Sequence, residues 1–85
     1  MESDLDIAFQ KAYTKAWNTK EKFPPDVMLK LYAYYKQAVK GDTFSFNANF
    51  DVRNAFKFNA WMQLKGMSED EAKREYIDLV NSIFK

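Results

Sequence analysis

Eighty-five residues carrying 13 basic and 12 acidic side chains, a net charge of +1, lack the basic excess that a binder of nucleic-acid backbones needs. Cysteine and histidine are both absent, which removes disulfides, thiolate metal sites and the usual general base at neutral pH. The length is that of a single domain, 1–85, and so short a chain must build its core from large side chains; eight Phe, five Tyr and two Trp supply them.

The chain opens on Met1-Glu2-Ser3-Asp4, which is acidic and lacks the basic-then-apolar order of a secretory signal. No apolar run approaches the roughly 20 residues that span a bilayer. A soluble, cytoplasmic chain without stable membrane insertion is expected, with a monomer as the default state.

The first helix is predicted over about Asp4 to Thr19, where Leu5, Phe9, Ala12 and Ala16 form one apolar stripe. Ser3 and Asp6 make a capping arrangement at its start. Phe23-Pro24-Pro25-Asp26 breaks the pattern and opens a second helix, with Asp26 as a capping residue. That helix runs from about Asp26 to Lys40, with Met28, Leu31, Tyr32, Tyr35, Ala38 and Val39 on one face and Gly41 as its stop.

From Gly41 to Asp51 the sequence is irregular and reads as an ordered loop, since one short strand would have nothing to pair with. A third helix is predicted from Val52 to Lys65, with Val52, Phe56, Ala60, Trp61 and Leu64 on one side and Gly66 ending it. Ser68-Glu69-Asp70-Glu71 is a capping box, and Ala72, Tyr76, Leu79, Val80 and Ile83 follow at helical spacing. Four amphipathic helices that must cover one another's stripes give an all-α four-helix bundle.

Catalytic constellations are scarce. Serine nucleophiles have no histidine, no Gly-rich phosphate loop exists, and the acidic groups fall at helix starts or on polar faces. No catalytic residue, metal site or cofactor is expected. One cluster is more informative. Tyr32 and Lys36 are four apart on one side of the second helix, with Tyr35 beside them, and a phenol next to an ammonium suits a phosphate. The same residues also suit a tyrosine stripe filling a small core, with a solvated lysine at its edge.

Tyr34-Tyr35-Lys36-Gln37-Ala38-x-x-Gly41-Asp42 resembles the signature of acyl-CoA binding proteins. So does Lys57-Phe58-Asn59-Ala60-Trp61-Met62-Gln63-Leu64-Lys65-Gly66-Met67-Ser68, continued by Glu71-Ala72 and Tyr76-Ile77, and the resemblance covers nearly the whole chain. It implies an up-down-down-up bundle with a ligand groove on its surface. It further implies that Tyr32, Lys36 and Lys57 hold the 3′-phosphate of the CoA adenosine, with Tyr35 in the same stretch of contacts. Tyr76 matches another ligand-contacting tyrosine, Arg53 keeps a basic group at the start of helix three, and Met28 and Leu29 match apolar positions bordering the adenine.

The chain departs from the family pattern in places. Phe46-Asn47-Ala48-Asn49-Phe50 replaces an Arg-Pro-Gly stretch, and Phe58 stands where a tryptophan is common. Trp17 occupies a position where a basic residue often approaches the ligand, and Tyr13 replaces a small residue nearby. Phe44, Phe46 and Phe50 either line a tail groove or close the bundle end. Trp17 and Tyr13, neighbours on helix one, either stack on the base or fill the core.

The resemblance therefore implies a non-enzymatic carrier and buffer of medium- and long-chain acyl-CoA, with acyl-CoA-using enzymes as candidate partners. The alternative is a helical protein-interaction module with no affinity for CoA. A nucleic-acid binder using Lys36, Arg53 and Lys57 is disfavoured by the balanced charge.

Overall fold

The computed structural model describes residues 3–19, 23–43 and 52–84, the side chains of 52–54 excepted. Four helices are present, α1 Asp4–Asn18, α2 Pro25–Lys40, α3 Val52–Met62 and α4 Glu69–Ile83, with no strand among the described residues. The loop expected from Gly41 to Asp51 lies outside the described residues from Phe44 onward, and Phe44, Phe46 and Phe50 with it.

Two helix starts form as the sequence dictates. Ser3 Oγ accepts from the Asp6 N–H at 3.1 Å, and Ser68 Oγ from the Glu71 N–H at 3.0 Å. Each hydroxyl satisfies a backbone donor that the helix itself cannot. The start of α2 corrects the expectation for Asp26. Pro24 occupies the cap position without a side-chain hydrogen bond and Pro25 is already helical, so the preset φ of the prolines begins the helix one residue early. Asp26 then lies inside the first turn, where its charge suits the helix dipole.

Contacts between helix ends fix the directions. Lys73, in the first turns of α4, pairs with Asp6 in the first turn of α1 at 2.6 Å, and Lys15 at the end of α1 lies over the Phe84 ring just past α4. Those two helices run parallel. The start of α2 meets the end of α4 through the edge-on rings of Phe23 and Phe84, while Gln37 near the end of α2 reaches Met67 just before α4. α2 and α4 are therefore antiparallel. Lys57 meets Tyr32, and Trp61 meets Gln37 further along both chains, so α3 runs parallel to α2. The topology is up-down-down-up.

Packing joins α4 to both α1 and α2, and α3 to α2. The core is Phe9, Ala12, Leu31, Ala38, Ala72, Tyr76 and Val80, ringed by half-buried aromatics including Tyr13, Tyr34 and Tyr35. Three residues expected on covered faces are exposed: Met28 at 57%, Val39 at 49% and Phe56 at 61%. On α2 the covered stripe passes through Ala33, Gln37 and Ala38, which turns Val39 outward. On α3 the side chain committed to the interior is Trp61, whereas Phe56 faces a cavity instead of the core.

Gln37, with none of its surface exposed, ties the ends of three helices together. Its Nε2 donates to Asp42 Oδ1 and to the Met67 carbonyl, both at 2.8 Å, and its Oε1 accepts from Trp61 Nε1 at 3.0 Å. Asp42 in turn accepts from the Gly66 N–H at 3.1 and 3.2 Å. This explains why α3 stops at Met62 instead of Lys65. Beyond Met62 the chain closes through i+3 bonds, Leu64 to Trp61 and Lys65 to Met62, which tighten it toward Gly66 at φ +93° and its partner Asp42. Gly41 takes φ +60° and ψ −140° to turn the end of α2 into the same junction, a backbone region that only glycine adopts freely.

Replacing Gln37 with Leu should cost about 1–3 kcal/mol in denaturant unfolding, since Asp42, Met67 and Trp61 each lose a buried partner; a neutral result would deny the junction its role. Acid gives a second test. The Gln37 amide first, and then the Gly66 N–H, hold the Asp42 carboxyl below its ordinary value of 3.8. A depressed folded value means stability that is complete above about pH 4 and lost as pH falls through the folded value. Asp42→Asn keeps an acceptor oxygen but cannot titrate. Its stability should decline less steeply below pH 4 than that of the unsubstituted chain, and parallel declines would contradict the assignment.

Candidate functional site

Because α3 packs on α2 and leaves α1 alone, the face of α2 between them is uncovered and forms a cavity of about 770 Å³. α2 supplies its floor with Pro25, Met28, Leu29, Leu31, Tyr32, Tyr35 and Lys36. One side is Tyr13, Ala16 and Trp17 of α1; the other is Phe56 and Lys57 of α3, with Tyr76 of α4 beneath.

The structure brings together Tyr32, Tyr35, Lys36, Lys57, Tyr76, Met28 and Leu29, all expected at a binding site from sequence, around this one cavity. The Arg53 side chain lies outside the described residues. Met28 is not a covered residue of α2, as its stripe suggested, but 57% exposed at the rim. Sequence reasoning left five lining residues unassigned: Ala16, Phe23, Pro25, Leu31 and Phe56. Phe56 carried a usable signal, because it precedes Lys57 on a helix that must present Lys57 to the same space.

Two ammonium groups converge on one ring. Lys36 Nζ lies 5.7 Å and Lys57 Nζ 5.4 Å from the centroid of Tyr32, and Lys36 is also 5.6 Å from the Trp61 ring. Cation–π attraction holds both against the aromatic surface. Among the described residues neither ammonium is paired with a carboxylate; the ion pair present is Lys73 with Asp6, elsewhere on the surface. Gathering two like charges without a counter-charge is unfavourable unless an anion joins them.

The phenols complete the set. Burial pushes the Tyr32 hydroxyl above its ordinary value, and burial followed by the neighbouring Tyr13 does the same for Tyr35. Tyr76, nearly fully covered, is pushed up to about 12 by burial, with Tyr13 and Tyr35 adding to it. All three therefore stay protonated at neutral pH and can donate hydrogen bonds to an acceptor. Opposite the lysines, toward Trp17, Phe23 and Pro25, the lining is apolar. One end of the cavity suits an anion and the other suits hydrocarbon or a flat ring. No group of three or more carboxylates among the described residues could hold a metal ion, and no helix among them is long and apolar enough to cross a membrane.

Comparison with known proteins shows the family and the fold. Residues 6–80 match the model of the family described as acyl CoA binding protein. An acyl-CoA-binding protein of Saccharomyces cerevisiae is 42% identical over 59 residues, 68% of each chain. Acyl-CoA-binding protein homolog 1 of Caenorhabditis elegans is 32% identical over 80 residues, 93% of each chain. The crystal structure of Oryza sativa acyl-CoA-binding protein 2 superposes with a TM-score of 0.84 at 28% identity, covering 94% of this chain and 90% of that one.

The raised value of Tyr76 gives a prediction in alkali. The unfolded chain ionises this phenol near pH 10 and the folded chain near 12, so stability is intact below pH 10 and falls as pH rises between the two. Tyr76→Phe should flatten the decline measured by denaturant unfolding across that interval. An unchanged slope would transfer the alkaline sensitivity to the other tyrosines.

Proposed function

We propose, because the chain belongs to the acyl-CoA-binding protein family, that its cavity holds acyl-CoA non-covalently and that the protein carries and buffers this ligand in the cytoplasm. The observation that supports this most is the pair of ammonium groups, Lys36 and Lys57, beside Tyr32 at one end of an otherwise apolar cavity, neither paired with a carboxylate among the described residues. Acyl-CoA has the matching polarity, a phosphorylated nucleotide at one end and a hydrocarbon tail at the other.

Lys36, Lys57 and Tyr32 receive the 3′-phosphate, each charge-assisted hydrogen bond contributing about 1.5–3 kcal/mol. Tyr35 and Tyr76 donate from the floor, and Met28 and Leu29 border the base. Arg53, which matches a basic position of the family, is assigned to the same ligand on its sequence alone. The tail gains up to about 0.8 kcal/mol for each CH₂ it buries, which favours medium and long chains. The chain performs no chemistry on the thioester; it binds as a monomer and hands the ligand to enzymes that use it.

Titration calorimetry should give one-to-one binding of acyl-CoA with no hydrolysis of the thioester; turnover that follows the purified protein would refute the carrier role. The 3′-phosphate assignment has its own test. Lys57→Ala should weaken acyl-CoA by about 1.5–3 kcal/mol. The same substitution should cost little with acyl-dephospho-CoA, because the lysine and the phosphate form one interaction. If the two losses add, the phosphate lies elsewhere.

A further inference from the structure

Four rings form a ladder that climbs from the core to the rim of the cavity. Phe9, 5% exposed, is followed by Tyr35 at 6.2 Å, Tyr13 at 4.9 Å and Trp17 at 6.3 Å, with successive planes within 22°, 23° and 16°. Near-parallel offset stacking of this kind fixes the plane of each ring by its neighbour. At the top Trp17 is 77% exposed, the most open large apolar side chain among the described residues, although it lines the cavity. Stacking on Tyr13 covers one face of the indole and leaves most of its surface open at the rim.

From this geometry we infer that the outer face of Trp17 is a stacking platform for the adenine base of the bound nucleotide, an assignment that rests on the acyl-CoA reading above. The exposure selects the base over the tail. A hydrocarbon chain gains free energy in proportion to the apolar area it removes from water, and a rim ring offers it one face while the rest of the chain stays wet. A purine is satisfied by one face, since its edges keep their hydrogen bonds to water while its π surface is covered. Tyr13 holds the indole in its plane before the ligand arrives, which lowers the ordering cost of the contact. Met28, exposed on the same rim, presents a polarisable thioether to such a ring. Lys36 lies two turns beyond Met28 on α2, about 12 Å along the axis. Base and ribose phosphate therefore lie at successive positions along one helix.

Calorimetry on the unsubstituted chain, Trp17→Leu and Trp17→Phe would test this, using acyl-CoA and the same acyl chain on 4′-phosphopantetheine, which lacks the adenosine. Trp17→Leu should weaken acyl-CoA about 5–10-fold, the low end for base stacking at an exposed ring. Trp17→Phe should recover most of that loss. The truncated ligand should change less than about 2-fold with either variant. As an independent readout, adenosine 3′,5′-bisphosphate should change tryptophan emission clearly more in the unsubstituted chain than in Trp17→Phe, where the remaining response is that of Trp61 beside Lys36; equal changes in the two would overturn the platform. Undiminished acyl-CoA affinity in Trp17→Leu would overturn the platform, as would equal losses with both ligands, which would set the ring against the tail. Failure of the unsubstituted chain to bind acyl-CoA at all would instead refute the function on which the platform rests, and the platform with it.

Discussion

The amide of Gln37 sits where the end of α2, the end of α3 and the start of α4 meet, and it has no water to turn to. Its donor satisfies Asp42 and the Met67 carbonyl and its acceptor satisfies Trp61, so each group fixes the position of a different segment. A buried amide left half-satisfied would be worse than an apolar side chain of the same size, which makes the arrangement nearly all-or-none. Once Trp61 is held against Gln37, α3 must run beside α2. Lys57, one helical turn before Trp61, is then carried to the Tyr32 ring.

That constraint also explains why the bundle has an open face. α4 covers α1 and α2 on one side, while α3 is drawn to the end of α2 and does not close on α1. Trp17, Met28 and Phe56 are left standing around the opening at a cost in exposed apolar surface. Such a cost is borne where a ligand covers it. The interior beneath is firm, because Tyr76 is both part of the core and part of the cavity floor. The stable side of the molecule therefore shapes the binding side directly.

Much of this was legible in the sequence, for reasons that are local. Ser3 and Ser68 act within three residues of themselves, so their hydroxyls announce α1 and α4. The Tyr32 and Lys36 pair follows from a helix period, and the resemblance added Lys57 from another element. What escaped was non-local. The early end of α3 depends on Asp42 claiming a backbone N–H 24 residues away, and no pattern around Lys65 encodes that. In the sequence Gln37 is one letter of a family signature; in the fold it is structural. The available signal was its place among Ala33, Ala38 and Gly41, a polar side chain on a face otherwise made of small residues. Val39 and Phe56 were misassigned because an apolar residue beside a covered stripe looks like part of it.

Backbone amide NMR during titration with acyl-CoA measures the location of the ligand without altering the protein. Occupancy of the cavity predicts the largest shifts at Tyr13, Trp17, Met28, Tyr32, Lys36 and Lys57, which line it from three helices. Exposed residues on the far side of α4 such as Glu75 and Asp78 should barely move. A contrasting pattern is well defined, because a second, smaller depression is lined by Asp6, Gln10, Val39 and Lys73. Shifts concentrated there, with the residues around Tyr32 unmoved, would contradict the assignment of this cavity as the acyl-CoA site.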